Sequence, residues 1–529
     1  MKLPVQRRWG AIPLLAISLP AGACSLAGLD AYSSGSEGGS GGSGGSGGAP
    51  IGGQGGSGGG AGSCAGEGQK TCGEQCVDTR DDPAHCGACD LACAPGYDCL
   101  DGVCGNHPIG LSVHFASCVV LRGGKVWCWG RNAWGELGVP SAETTTTCPY
   151  QSSRCRPAPL EVAGISDAVE VVTNREITCA RTAAGEVFCW GSNDKGRLGH
   201  DPALDATCEK AVDPPGTTGP CTATPTKVAL PAGAVAVQIS VGNAATCART
   251  ATRDVYCWGQ NGDGEIKAPP GGFEWQPTKN ANVNGDADDV SVGNSLGGVS
   301  TVCVTQSGTG QVRCWGQSFG GAVFPTSGVG GCANGDVCDP VAHTVPKTFA
   351  STSMPVIGER LDAGYLTACA LRQGTLSCWG DDRYGQSGLG AASPGANHFD
   401  PVAISGVPAV VGFSSRFLTT LALGASGSVW SLGWGDEGQL GDGTFGSEAC
   451  PGSPGQHCQT TAKQIAGLTG VALVATGPNS SGAVTREGKV YMWGANYNAS
   501  LGHAPFTGGD VACGQYPCSA VPVRVEGLP

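Results

Sequence analysis

CARTAAGEVFCWGSNDKGRLGH, residues 179–200, decides the architecture of this 529-residue chain. Val187-Phe188-Cys189-Trp190 alternates with the period of two that marks a β-strand. Ala183-Ala184-Gly185 is a turn, and folding the segment about it sets Cys179 opposite Cys189. Directly opposed residues of an antiparallel pair lie about 4.5–5.5 Å apart, within disulfide range. The stretch closes on Gly196-Arg197-Leu198-Gly199. Outward from it, the same pattern returns seven times, ending at Trp129-Gly130, Trp190-Gly191, Trp258-Gly259, Trp315-Gly316, Trp379-Gly380, Trp434-Gly435 and Trp493-Gly494. Successive tryptophans are 55 to 68 residues apart. A period of that length, built of short strands and glycine turns, predicts a radial all-β array.

The 29 cysteines divide into one, eight, ten and ten. Five pairs recur inside the repeat: Cys118 with Cys128, Cys179 with Cys189, Cys247 with Cys257, Cys303 with Cys314, and Cys369 with Cys378. Repeats six and seven lack both members, which is the signature of bonded pairs. Five closer pairs fall in insertions between Leu-Gly and the next Pro-x-x-Val strand. They are Cys148 with Cys155, Cys208 with Cys221, Cys332 with Cys338, Cys450 with Cys458, and Cys513 with Cys518. Eight more cysteines crowd residues 64–104, too short a segment to hold a core without bridges. Four bridges allow 105 connectivities, and the spacing does not choose among them. Even groups with one leftover, Cys24, fit an oxidised, exported chain.

Residues 1–23 read as an export signal: Lys2, Arg7 and Arg8 precede an apolar run from Trp9 to Pro20, too short to span a bilayer. Ala21-Gly22-Ala23-Cys24 resembles a lipobox, so Cys24 is the expected lipidation site, with a plain cleavage site as the alternative. Residues 24–63 form a Gly/Ser-rich linker, a flexible tether with a reach of about 30 Å across its Ser33–Gly62 tract. Residues 64–104 are the disulfide-rich module and 105–529 the propeller. The first repeat has no Pro-x-x-Val strand ahead of it, whereas Pro522-Val523-Arg524-Val525 stands at the end with no repeat to follow. The expectation is a seven-bladed β-propeller closed by N- and C-terminal strands, with Pro529 brought beside His107.

CARTAAGEVFCWGSNDKGRLGH and VWSLGWGDEGQLGDG (429–443) resemble the repeat of the regulator of chromosome condensation family, and the resemblance covers residues 107–529. It implies the propeller scaffold. The family's founder acts on a small GTPase and chromatin, and only the scaffold matches that here. The cysteine pairs, the degenerate third and fourth repeats and the long insertions depart from the family pattern.

Chemistry is sparse. The eight histidines form no ligand pattern, and no cofactor or metal is expected. Gly293-Asn294-Ser295-Leu296-Gly297 has the letters of a nucleophile elbow but lies where a strand belongs. Asp286, Asp288 and Asp289 read as a calcium set or, more simply, a solvated acidic turn. A net charge of −13 with dispersed Lys and Arg excludes a phosphate-neutralising groove, so nucleic acid is not a partner. The insertions, all at one topological position, must share a face, which marks them as a binding surface or as protection against proteolysis. Tyr150, Phe273, Trp275, Phe506 and Tyr516 are the aromatic anchors beside them. The resulting expectation is a monomeric cell-surface lipoprotein, attached by lipid alone, binding a protein or surface glycan without catalysis. The alternatives are a GTPase exchange factor, which needs a reducing cytosol, and a glycan-active enzyme with carboxylates in the central funnel.

Overall fold

Alternating apolar residues in each repeat pair into four antiparallel strands. In blade 1 these are the inner strand Pro108–Val113, the second Ala116–Leu121, the third Val126–Arg131 and the outer Arg154–Glu161, with Thr146–Thr147 added at the edge. Six more sheets repeat this order, with inner strands Ala168–Thr173, Ala236–Val241, Ala287–Val292, Arg360–Ala363, Val410–Arg416 and Val471–Thr476. The molecule is therefore an all-β, seven-bladed propeller. The computed structural model describes residues 69–73, 75–80, 82–93, 97–100, 102–144, 146–149, 153–209, 218–293, 300–317, 338–344, 360–364, 367–388 and 397–529. The leader, Cys24, the Gly/Ser tract, Tyr150, Cys332 and residues 294–297 of the elbow-like motif lie outside the described residues.

The core lies between blades. Val172, Ile177, Leu198 and Val228 of blade 2 pack on Ile239, Val241 and Trp258 of blade 3, all at most 2% exposed. Each such seam buries apolar surface that neither sheet could hide alone. Two hydrogen-bond systems fix the rotation of one blade on the next. The blade tryptophans donate their indole N–H to a carbonyl of the preceding Gly-x-Leu-Gly loop, or of its counterpart Gly264-Glu265-Ile266-Lys267 in blade 3: Trp190 to Glu136 (3.0 Å), Trp258 to Arg197 (3.0 Å), Trp315 to Glu265 (2.9 Å) and Trp493 to Gln439 (2.9 Å). Around the channel, side chains of one inner strand accept backbone N–H groups of the next. Ser112 accepts from Thr173 (2.9 Å), Ser240 from Val292 (2.9 Å), Ser291 from Ala363 (2.9 Å), Asp362 from Ser415 (3.0 Å) and Ser414 from Thr476 (3.1 Å).

Blade 6 corrects the reading of the sixth repeat. A Cβ at Gly130 would sit 2.6 Å from the carbonyl oxygen of Phe115, so only glycine, at φ +98°, fits there. Gly433, not Gly435, occupies that place in blade 6, at φ +106° and paired with Thr419 as Gly130 pairs with Ala116. Leu432, fully buried, therefore stands in the tryptophan's position, and Trp434 lies two residues beyond it.

Each blade is contiguous in sequence. The last strand, Tyr516–Arg524, pairs within its own blade, with Met492 opposite Val523. The ring closes where the first and last blades pack: Leu111, Val113 and Trp129 share a core with Leu473, Met492 and Val525. The Trp129 indole donates to the carbonyl of Ser500 at 2.8 Å. The termini thus meet at the closure without sharing a blade.

In the cysteine-rich stretch two small hairpins, Gln69–Cys72 with Gln75–Asp78 and Asp98–Leu100 with Val103–Gly105, are tied by Cys72–Cys89, Cys86–Cys99 and Cys93–Cys104. Cys76 is also disulfide-bonded. The sulfurs of Cys86, Cys93 and Cys104 gather within 4.8 Å, but disulfide formation removes the thiolates that zinc requires.

Candidate functional site

The five repeat pairs face each other in the ladder between second and third strands. In blades 1 and 2, Cys118 bonds Cys128 and Cys179 bonds Cys189. In blades 3, 4 and 5 the third strands Val255–Gln260, Val312–Gln317 and Thr375–Asp381 carry Cys257, Cys314 and Cys378. These stand opposite Cys247, Cys303 and Cys369 in register and are bonded to them. Cα separations across the five bridges are 4.1–4.2 Å, and all ten cysteines are fully buried. They brace the blades and take no part in a surface.

The insertions are different. They connect third and outer strands, so a common blade topology puts them on one face of the ring. Cys148–Cys155, Cys208–Cys221, Cys450–Cys458 and Cys513–Cys518 are bonded, each bridge closing the 5 to 13 residues that run into the outer strand, with Cα separations of 5.0–5.9 Å. Cys338 begins the outer strand Cys338–Thr344 of blade 4. The proposed anchors do not come together in one patch. Phe273 is 48% exposed on blade 3, and Phe506 is 57% exposed on blade 7. Trp275 is half-buried where blade 3 meets Gly196 of blade 2. Tyr516 packs edge-on to Tyr497, 5.3 Å between ring centres, in a cluster with Phe115. Further apolar residues are exposed on the same connections, Leu204, Phe445 and Val511, with Val521 exposed on the outer strand of blade 7. Phe445 and Val521 belong to adjacent blades, and the Gly443 N–H of the blade 6 loop donates to the Ala520 carbonyl of the blade 7 outer strand at 2.9 Å. Bulky apolar side chains within Gly- and Asp-rich insertions were the available signal.

Trp434, displaced from the interblade girdle, sits on this face with Tyr384, Phe417 and Leu418. Its indole donates to Asp436 at 3.0 Å, and Asp436 also accepts from the His457 backbone N–H (2.9 Å) and meets its ring Nδ1 (2.8 Å). Neighbouring Glu437 is raised to about 7, chiefly by burial, against hydrogen bonds from Asn479 and Tyr497 that lower it.

On the same face the turn after each inner strand reaches the channel. His114 is 1% exposed, and burial, with Arg131, Arg175 and Arg416 close by, holds its imidazole neutral, well below the usual range. Arg131 pairs with Glu136 at 3.2 Å and lies 4.9 Å over the Phe115 ring. Deeper in the channel a small pocket of about 30 Å³ is lined by Gln238, Asp289, Arg360, Asp362, Phe413 and Arg416. Burial pushes the carboxyls of Asp289 and Asp362 up. Both serve the strand stitching: Asp289 accepts the Leu361 N–H at 2.8 Å, Asp362 the Ser415 N–H at 3.0 Å, and Arg416 lies 3.0 Å from Asp362.

Asp286 and the strand residues Asp288 and Asp289 divide among three tasks. Asp286 holds Arg313 at 2.8 Å, Asp288 holds Arg253 at 3.0 Å, and Asp289 faces the channel. The three carboxylates thus face different partners and make up neither a calcium set nor a solvated turn.

Comparison with known proteins accords with this scaffold. The family model described as Regulator of chromosome condensation (RCC1) repeat matches residues 184–249, and a second model of that description matches 168–197 and 236–265. The matched unit runs from the third strand of blade 2 into blade 3, across the seam. The chain is 25% identical to the ultraviolet-B receptor UVR8 of Arabidopsis thaliana over 398 residues, 73% of this chain and 76% of that protein. It is 28% identical to the human E3 ubiquitin-protein ligase HERC2 over 329 residues, 62% of this chain but only 6% of the ligase. Among solved structures, Prp20p from Saccharomyces cerevisiae aligns with a TM-score of 0.56 at 20% identity, covering 77% of this chain and 86% of that one. Human WBSCR16 aligns at 0.55 and 20% identity, covering 77% and 94%.

Proposed function

This chain belongs to the regulator of chromosome condensation repeat family, and from that premise we propose that it is a non-catalytic binding scaffold whose docking face carries the stapled insertions. The supporting observation is the set of short cross-linked segments Cys148–Cys155, Cys208–Cys221, Cys450–Cys458 and Cys513–Cys518, with Leu204, Phe445, Phe506 and Val511 exposed in the insertions just ahead of three of them. A short cross-linked loop loses less conformational entropy on binding than a free one. The partner is a protein: the exposed side chains are apolar, and yeast Prp20p, on the same scaffold, is described by its binding to Gsp1p and histones. A surface glycan is the second reading, favoured by Trp434 and Tyr384, both packed on Phe417 and Leu418, with Asp436 and His457 beside Trp434. Exchange on a GTPase fits poorly with a chain so heavily disulfide-bonded. The channel carboxylates are occupied by backbone N–H groups, which argues against their use in glycan hydrolysis.

We place the protein outside the cell, anchored through Cys24; among the described residues no helix is long and apolar enough to cross a membrane. Cys24→Ser then moves it from the membrane to the soluble fraction, and retention on the membrane counts against the anchor. The binding test uses the oxidised full chain as bait against culture fluid and envelope extract. A second bait has residues 148–155, 208–221 and 450–458 replaced by Gly/Ser turns and Leu204, Phe445, Phe506 and Val511 changed to Ser. A protein held by the first and lost from the second is the expected result. Equal retention by both moves the site off this face, and a retained polysaccharide establishes the glycan reading.

A further inference from the structure

We propose that the mouth of the central channel, on the stapled face, binds one small oxyanion, a carboxylate in its simplest form, between His114 and Arg131. This goes beyond the scaffold reading and does not depend on it.

Two buried donors carry the argument. The Nδ1 of His114 accepts the Phe115 backbone N–H at 2.5 Å, so the ring proton resides on Nε2. That Nε2–H is inaccessible to solvent and has no acceptor among the described residues. Arg131 uses Nε on Glu136 at 3.2 Å and one terminal nitrogen on the carbonyl of Arg175; its other terminal nitrogen, Nη1, is likewise buried without an acceptor among them. Both side chains are 1% exposed. Buried donors in native proteins almost always have partners, so two orphans in one polar cluster point to a group that accepts from both.

The local field identifies that group. Arg131, Arg175 and Arg416 all act on His114. Their carboxylates do not balance them evenly: Glu136 answers Arg131 and Asp362 answers Arg416. Glu176, however, stands 3.0 Å from Arg197 and 3.9 Å from Arg175. In a chain of net charge −13, this is a local positive focus. A cation is repelled there. Water satisfies the donors but gains little from the field. An oxyanion accepts from imidazole N–H and guanidinium together, in the charge-assisted geometry that arginine favours. Arg416 also lines the small channel pocket, so space continues inward from the cluster.

The experiment follows thermal unfolding and calorimetric binding of the oxidised full chain titrated with sodium acetate and sodium phosphate, each against sodium chloride at equal ionic strength. The expected result is a saturable rise in melting temperature with acetate or phosphate beyond that in chloride. His114→Phe removes the Nε2 donor while keeping a ring of similar size, and it should weaken the apparent affinity at least tenfold. Arg175→Gln, at a side chain 22% exposed and therefore tolerant of change, should weaken it about threefold by lowering the field. Identical responses in all three salts mean ionic screening or water only, and overturn the site. A His114→Phe protein that binds as tightly as wild type overturns it as well. If His114→Phe misfolds, the Arg175→Gln titration decides alone.

Discussion

Glu265 shows how one residue can record the burial of a blade seam. Its carboxylate is fully buried, accepting the Asp263 N–H at 2.9 Å and the Ser300 N–H at 3.3 Å, while its carbonyl receives the Trp315 indole. Burial raises its carboxyl from 4.5 to about 7. A raised carboxyl pKa contributes stability below the unfolded value, and that contribution is lost as pH rises through the folded one. The loss therefore falls between about pH 4.5 and 7 and amounts to roughly 3 kcal/mol at 1.36 kcal/mol per pKa unit. Glu265→Gln should abolish this component: between pH 4.5 and 8 the wild type should lose roughly 3 kcal/mol more stability than the variant, read from denaturant midpoints. Equal pH slopes would show that Glu265 is ionised in the folded protein. At this scale the sequence was partly legible. The six interblade tryptophans are plain from their repetition, but in blade 6 leucine takes the position, and Trp434-Gly435 mimics the pattern two residues further on. Only the steric demand at Gly433, where a Cβ would strike the Leu418 carbonyl, locates the true frame.

Elements carry the clearest correspondence between sequence and structure. A cross-strand cysteine pair is gained or lost as a unit, so its presence in five repeats and joint absence from two announced both the hairpin and its register. Blades 6 and 7 hold Leu421 opposite Ser431 and Gly482 opposite Met492 at the same rungs. Each repeat bridge closes a loop of 9 to 11 residues. Chain entropy assigns such a closure about 2–3 kcal/mol. Cys179→Ala with Cys189→Ala should lower the opening free energy of blade 2 by about that much, measured as faster hydrogen exchange in Ile177–Thr182 and Val187–Ser192. Exchange that accelerates equally in every blade would mean that the bridge acts on the whole ring. The cysteine-rich stretch was illegible by comparison, since spacing alone cannot rank pairings that depend on how two small hairpins lie. The channel lining was hidden for a related reason: Gln238, Asp289, Asp362 and Arg416 come from four blades, and no local pattern links them.

At the scale of the whole molecule, a circular repeat has no natural beginning, and the sequence offered two ways to cut it. A Pro-x-x-Val strand both precedes and follows most repeats, so assigning it to the later blade left the first repeat short and the last strand spare. The ladder decides otherwise, because Leu160 pairs with Cys128 of its own blade and Val523 with Met492 of its own. Closure then rests on the seam of Leu111, Trp129, Met492 and Val525, with Leu528 packed against it near the start of the propeller. That arrangement makes a prediction about permutation. Opening the chain between Gly406 and Val407, where a Cβ on Gly406 would meet nothing within 4 Å, breaks no blade. With residues 1–104 kept ahead of the new start and Pro529 joined to Gly105 by a short linker, the permutant should melt within a few degrees of wild type. Opening instead between Gly508 and Gly509 divides blade 7, so that the new termini must complete one sheet together. Contiguous blades predict that the second permutant is the less stable, since its outer strand must find its partner across the whole chain and the closure entropy rises with the separation. A second permutant as stable as the first would show that the ring tolerates a shared blade as readily as an intact one, and that contiguity is incidental to its stability.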